Sequence, residues 1–379
     1  MTEPIQPPPT PAPTPVPAHP SVPTPTPTPA PAPAITATPT PTRDLRALPD
    51  TTDPRALTEV ILFEVRRVIV GQDLMLERIL VGLLSGGHIL LEGVPGLAKT
   101  LTIKTLADVL GGSFRRIQFT PDLMPSDLVG TRIYRPHDGA FETELGPVFA
   151  NFLLADEINR APAKVQSALL EVMGEHQVTI GGVTHRVPEP FIVLATENPI
   201  EAEGTYPLPE AQVDRFMLKV VVGYPNASEE AQVVARSLRA GLPPREVLDV
   251  EGLVALQRRV DDVYVDPRII SYAVGLVEAT RRLSYWGAAD LEGYVAYGAS
   301  PRGSINLVHG ARSLAVLRGR RYVLPSDVAE LAPDVLRHRL VLSYAALTDG
   351  VTADTVIARV LGLVPAPQLD LAIEPAVSA

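Results

Sequence analysis

The sequence predicts an α/β domain built on a parallel sheet, followed by a smaller all-helical domain. Three observations carry that prediction. Short, almost continuously apolar runs alternate with segments of helical spacing up to about residue 225, as expected of strands covered on both faces. A glycine-rich turn joins the first of these runs to a helix. Beyond Pro225 the strand signal fades and helical spacing dominates.

The elements follow in order. Residues 1–46 are a Pro-, Thr- and Ala-rich tail with almost no charge, expected to stay disordered and extended because it has little apolar surface to bury. "LTEVILFEVRRVIVGQ" and "LMLERILVGLLSGG" read as two helices, closed by Gly71 and by Gly86-Gly87. "HILLEG" reads as a buried strand and "LTIKTLADVLGG" as the helix after it. "NFLLADE", "PFIVLATENP" and "MLKVVVGYP" supply three more strands. "HQVTIGGVTHRV" reads as a hairpin, with Val178 and Ile180 alternating with polar residues and Gly181-Gly182 as a two-residue turn. In the second domain "SINLVHGARSLAVL" puts Ile305, Val308, Ala311 and Ala315 on one helix face, with Ser300 as cap and Pro301 in the first turn. Pro333 is expected to open a new helix after "SDVAEL". The predicted boundaries are 47–224 for the α/β core, 225–365 for the helical domain and 366–379 for a flexible C-terminal tail.

Composition excludes several classes of function. The chain has 379 residues, enough for two domains, and no cysteine, so disulfides and thiolate metal sites are absent. A net charge of -10 argues against a dedicated nucleic-acid binder. No apolar run is long enough to span a membrane, and no secretory signal pattern opens the chain, so a cytoplasmic location is expected. The histidines show no HExxH spacing, and His88, His137 and His309 read as ordinary surface or core residues.

The chemistry-bearing turn is Gly93-Val94-Pro95-Gly96-Leu97-Ala98-Lys99-Thr100. It matches the phosphate-binding pattern G-x-x-x-x-G-K-[ST] except that Ala98 stands where the second glycine belongs. In such a loop successive backbone N–H groups and the following helix N-terminus face phosphate, the lysine bridges phosphate oxygens, and the hydroxyl ligates Mg2+. Ala98 is expected to fit if its φ is negative, since a methyl intrudes least. A relaxed motif of this kind arises by chance in roughly a few per cent of chains this long, so a second half of the site has to decide. That half is "FLLADEINRAP", an apolar strand ending in Asp156-Glu157. Asp156 is the candidate metal carboxylate and Glu157 the candidate general base toward water.

"GVPGLAKT", "LLADEINRAPAKVQSALLEVMGE", "ATENPIEAEGTYPLPEAQVDRF" and "SPRGS" occur in an order and spacing that resemble the MoxR family of AAA+ ATPases, over about residues 55 to 365. The resemblance implies a P-loop AAA+ core with a helical lid, and alanine before the P-loop lysine is that family's form. It further implies that Asn198 is sensor 1, Arg215 the arginine finger and Arg302 the sensor-2 arginine. "DLVGTRIYRPHDGAFETELGPVFAN" is similar to the helix-2 insert of magnesium-chelatase-like AAA+ proteins, and the Gly181-Gly182 hairpin to the one before sensor 1. The implied activity is Mg2+-dependent ATP hydrolysis by a homo-oligomeric ring, a hexamer, doing chaperone-like work on a protein client or a von Willebrand factor A domain partner. Two other readings stay open: a nucleotide-gated scaffold with negligible turnover, and a DNA-directed motor, which the acidic balance opposes.

Overall fold

Two helices, α1 (Pro54–Val68) and α2 (Asp73–Leu84), precede the first strand, β1 (Ile89–Glu92). The carboxylate of Asp53 accepts from Arg55 N at 3.1 Å to cap α1, and Pro54 starts it with a preset φ. Leu57, Ile61 and Val65 form the buried stripe of α1, whereas α2 is buried nearly all round. The computed structural model describes residues 53–200, 204–238 and 243–369. The proline-rich tail and most of the C-terminal tail lie outside those residues, which all belong to one compact unit.

After β1 the chain forms α3 (Lys99–Val109), β2 (Phe114–Gln118), α4 (Pro125–Val129), a hairpin of β3 (Gly130–Arg135) and β4 (Ala140–Leu145), and β5 (Phe152–Asp156). Next come α5 (Ala163–Glu175), a second hairpin of β6 (Gln177–Ile180) and β7 (Val183–Arg186), β8 (Ile192–Glu197), α6 (Glu210–Val213) and β9 (Leu218–Val221). The central sheet is wholly parallel, in the order β2-β5-β8-β1-β9. Its residues alternate between two cores, as the period of two in a strand requires. Leu90, Leu153, Ala155, Val193 and Ala195 pack with Leu169 and Leu170 of α5. Ile89, Leu91, Leu154, Ile192 and Leu194 pack with the opposite helical layer. The sequence reading missed β2: "FRRIQ" is an edge strand with Arg115 and Arg116 exposed, so it lacks the apolar signature of its neighbours. The Gly181-Gly182 turn has φ of 57° and 84°, the left-handed pair that a tight hairpin needs, and Val178 and Ile180 are buried as expected.

The chain after β9 is formed by α7 (Ala227–Ser237), α8 (Val250–Asp261), α9 (Pro267–Arg281), α10 (Pro301–Leu317), α11 (Pro325–Leu336), α12 (Tyr344–Asp349) and α13 (Ala353–Leu363). Among the described residues it also holds a small antiparallel pair, β10 (Val295–Tyr297) with β11 (Val341–Leu342). Ser300 caps α10 as expected, accepting from Arg302 N at 3.2 Å.

Two expectations are corrected here. Of the face expected on α10, Ala311 and Ala315 are buried and Val308 half-buried, but Ile305 is exposed and the buried side also takes in Leu307, Gly310 and Leu314. Gly310 is the reason: a Cβ there would lie 3.0 Å from Leu331 and 3.2 Å from Met217, so close packing at glycine turns that face inward. Nor does Pro333 open a helix, because α11 runs through it. The proline removes one backbone bond, while burial of Leu331, Ala332, Val335 and Leu336 on either side holds the helix together.

Candidate nucleotide site

In a parallel sheet ligands sit beyond the carboxyl ends of the strands, and the candidate residues gather there. β1 leads directly into the loop at Gly93, whose hypothetical Cβ would lie 2.7 Å from Val222 O, so no larger residue fits. Gly93 N donates to Glu197 O at 3.2 Å, tying the loop to the end of β8. Gly96 takes φ 87° and Ala98 φ 56° with ψ 17°. Ala98 is thus in the left-handed region, so the condition of a negative φ set for an easy fit is not met. The cause is geometric: this turn must reverse before α3 starts at Lys99, whichever residue occupies it. The first N–H groups of α3 have no acceptor within the helix, as at any helix start. Lys99 Nζ donates to Gly93 O at 2.5 Å and to Glu197 O at 3.5 Å. Partial burial pulls the Lys99 pKa below its ordinary value, against the opposing pull of Asp156, Glu157 and Glu92.

The carboxylates lie close to this lysine. Thr100 Oγ1 donates to Asp156 Oδ2 at 3.2 Å, and Arg116 from the edge strand β2 donates to the same oxygen through Nη2 at 2.8 Å and Nε at 3.0 Å. Thr196, buried in β8, donates to Asp156 Oδ1 at 2.6 Å while accepting from Glu157 N at 2.8 Å. Glu157 itself is left-handed, with φ 55° and ψ 52°. That conformation costs a β-carbon residue about 1–2 kcal/mol and turns the side chain away from the direction it would take in a continuing strand. Its carboxylate accepts from Gln118 Nε2 at 2.7 Å and pairs with Arg160 at 3.1 Å. Sequence reading passed over Thr196, Gln118 and Arg116. The last two sit on the strand it missed, and a threonine in an apolar run carries no signal of its own.

Asn198 follows β8 and is buried, its Oδ1 accepting from Ile200 N at 3.2 Å. It adjoins Glu197, whose carbonyl the loop contacts. Beneath, Lys219 Nζ lies 2.5 Å from Glu92 Oε2 and 3.5 Å from Glu197 Oε2, joining the ends of three neighbouring strands. Burial pushes the Glu197 pKa up, and the Lys219 cation opposes it.

Arg215 and Arg302 are not part of this cluster. The Arg215 guanidinium donates to the carbonyl of Leu170 and lies over Gly174 in α5. Arg302 is half exposed, with Nη1 3.8 Å from Asp214 Oδ2. The two arginines flank Asp214, one next to it in sequence and one next to it in space.

The donor set suits Mg2+. A hydroxyl and a single carboxylate oxygen, close together, match an ion that keeps waters and phosphate oxygens as its other ligands. Among the described residues no group of three or more His, Asp or Glu side chains could form an all-protein metal cage.

Fold and candidate site together are of the P-loop AAA+ class. Residues 88–218 match the model of the ATPase family associated with various cellular activities, and residues 288–360 match the AAA lid domain. The chain is 57% identical over 315 residues to "Chaperone MoxR1" of Mycobacterium tuberculosis, covering 82% of this chain and 83% of that one. It is 31% identical over 328 residues to "Protein MoxR" of Methylorubrum extorquens, covering 80% and 93%. A solved structure of a candidate ATPase from Cytophaga hutchinsonii superposes with a TM-score of 0.79 at 47% identity, covering 83% of this chain and 96% of that one. The chain belongs to the MoxR family of AAA+ ATPases. Among the described residues no helix is long and apolar enough to cross a membrane.

Proposed function

We propose that this protein hydrolyses ATP with Mg2+ as a ring-forming remodelling or maturation factor for a protein partner. The core would span residues 47–224 and the lid 225–365. The observation that carries the reading is the convergence of Lys99, Thr100, Asp156 and Glu157, with Thr100 Oγ1 and Asp156 Oδ2 3.2 Å apart. The backbone from Gly93 to Thr100, through Val94, Pro95, Gly96, Leu97 and Ala98, would cradle the phosphates, and Lys99 would bridge their oxygens. Mg2+, held by Thr100 and Asp156, would neutralise charge on the phosphate oxygens.

Glu157 would orient the attacking water and accept its proton, and Asn198 would hold that water against the terminal phosphate. Gln118 and Arg160, which now engage the Glu157 carboxylate, would have to release it first. Arg215 and Arg302 flank Asp214, away from the cluster around Lys99. That supports assigning both to the nucleotide of a neighbouring subunit, where fixed guanidinium groups stabilise charge on the transferred phosphoryl group. A hexamer is the ring size proposed, and a von Willebrand factor A domain protein the partner class. The name "Chaperone MoxR1" of the mycobacterial relative supports chaperone-like work here.

A second reading, a nucleotide-gated scaffold with negligible turnover, is favoured by one observation: both carboxylates are engaged by the chain's own Arg116, Gln118 and Arg160. Glu157→Gln tests the first reading. Calorimetry with ATP and Mg2+ should show binding retained, while phosphate release falls by about 100-fold or more. Unchanged turnover removes Glu157 as the base, and negligible turnover in the parent protein selects the scaffold.

A further inference from the structure

Arg339 follows α11 in the lid, and its side chain is fully buried. Nη2 donates to Asp214 O at 3.1 Å and to Phe216 O at 2.6 Å, the two carbonyls on either side of Arg215. Nη1 donates to Met217 O at 3.3 Å, and Nε donates to Asp214 Oδ1 at 2.8 Å. The neighbours of Arg339 grip the same strand of the core: Arg337 donates to Lys219 O at 2.6 Å, and His338 Nε2 lies 3.0 Å from Phe216 O. Three successive lid residues thus hold residues 214–219 by their backbone.

Asp214 completes the connection. Its two carboxylate oxygens each lie 2.9 Å from Ser300 Oγ, and Ser300 caps the helix that carries Arg302. One carboxylate is therefore bonded to the start of the Arg302 helix and to the arginine that pins the backbone around Arg215. Such an arrangement fixes two side chains from different domains relative to each other. A buried ion pair that only held the fold together would need neither the carbonyls flanking Arg215 nor the cap of α10. Burial pulls Arg339 down to about 10, with Asp214 opposing and Arg302 adding to the pull, so Arg339 stays charged at neutral pH.

We propose that Asp214 and Arg339 are positioning residues that lock Arg215 and Arg302 into one unit, so that both reach the same phosphate together. The proposal rests on the reading of those arginines as phosphate-contacting groups. It also couples the lid to the finger: the lid cannot change its angle to residues 214–219 without moving Arg215.

The test uses the full chain. Asp214→Asn keeps an oxygen for Ser300 but removes the charge that holds Arg339. ATP binding by calorimetry should stay within about twofold, since the Lys99 cluster is untouched, while kcat falls about 10- to 100-fold, the loss that follows from misplacing a reacting group by an ångström. Introduced into an Arg215→Ala, Arg302→Ala background, Asp214→Asn should cause no further loss of residual turnover. The same fold-loss in that background, or unchanged kcat in the single variant, overturns the proposal. Should Asp214→Asn fail to fold, Ser300→Ala severs the link to α10 together with the cap of that helix, leaves Asp214 bonded to Arg339, and is expected to lower kcat about three- to tenfold with binding retained; unchanged kcat there overturns it equally. The parent reading fails separately: full turnover by the Arg215→Ala, Arg302→Ala protein removes both arginines from the chemistry whatever Asp214 does.

Discussion

The hydroxyl of Thr196 donates to Asp156 Oδ1 at 2.6 Å, and its oxygen also accepts the N–H of Glu157 at 2.8 Å. One buried threonine thus orients the candidate metal carboxylate and pins the left-handed backbone of the candidate base. Thr196→Val keeps the shape and deletes both bonds. Leaving the Glu157 N–H without its acceptor should destabilise the fold by about 1–3 kcal/mol in urea unfolding. Turnover should fall more than about tenfold while ATP still binds. Turnover at the parent level would show that Glu157 holds its place without the bond.

Ala98 gives a prediction of opposite signs. At φ 56° a β-carbon is strained by about 1–2 kcal/mol, partly offset by the extra freedom that glycine gives the unfolded chain, about 0.4–1 kcal/mol. Ala98→Gly should therefore raise stability by roughly 0.5–1 kcal/mol and preserve nucleotide binding. Ala98→Val puts a branched side chain in the same conformation and should lower both stability and affinity. Thermal melts with and without ATP measure the pair, and a destabilised glycine variant contradicts the strain argument.

Action between subunits can be read from mixing. Arg215→Ala and Lys99→Ala proteins should each lose most of their turnover alone. Mixed assemblies should recover part of the activity, at interfaces that join an intact loop to an intact finger. Absence of recovery in proven co-assemblies counts against the finger acting across an interface.

His88 sets a pH dependence of stability. Burial holds its pKa down to about 4, because its ring is wholly enclosed. Val193 N donates to its Nδ1 at 3.0 Å and its Nε2 faces Met173 O at 3.2 Å, which fits the neutral ring with the proton on Nε2. The unfolded chain takes up a proton near pH 6.5 and the folded chain only near 4. Stability contributed by this residue is therefore full above pH 6.5 and is lost as pH falls toward 4, by on the order of 3 kcal/mol at most. Denaturant unfolding of the parent and His88→Gln proteins over that window should show a smaller slope in the variant; equal slopes refute the assignment.

Much of the site was legible because its chemistry is carried by adjacent residues. The run from Gly93 to Thr100 and the pair Asp156-Glu157 each lie at the end of an apolar strand, and parallel pairing brings those ends together. Gln118 and Arg116 were not legible, since they sit on an edge strand whose exposed arginines hide its periodicity. The face of α10 was read correctly at Ala311 and Ala315 but not at Ile305, because a close contact beside it is made by Gly310, which no hydrophobic pattern counts.

By itself the sequence determined the alternation of strands and helices, the loop, the acidic strand end and the family, because local patterning and short motifs are properties of neighbours in the chain. Only the tertiary structure decided that Arg116 and Thr100 share one oxygen of Asp156, that Ala98 and Glu157 are left-handed, and that Arg339 reaches across to the carbonyls around Arg215. Those relationships join residues up to 125 positions apart. The last depends on the angle at which the lid packs against the strand that follows Asp214, and the others on how neighbouring core strands align; no local pattern encodes either.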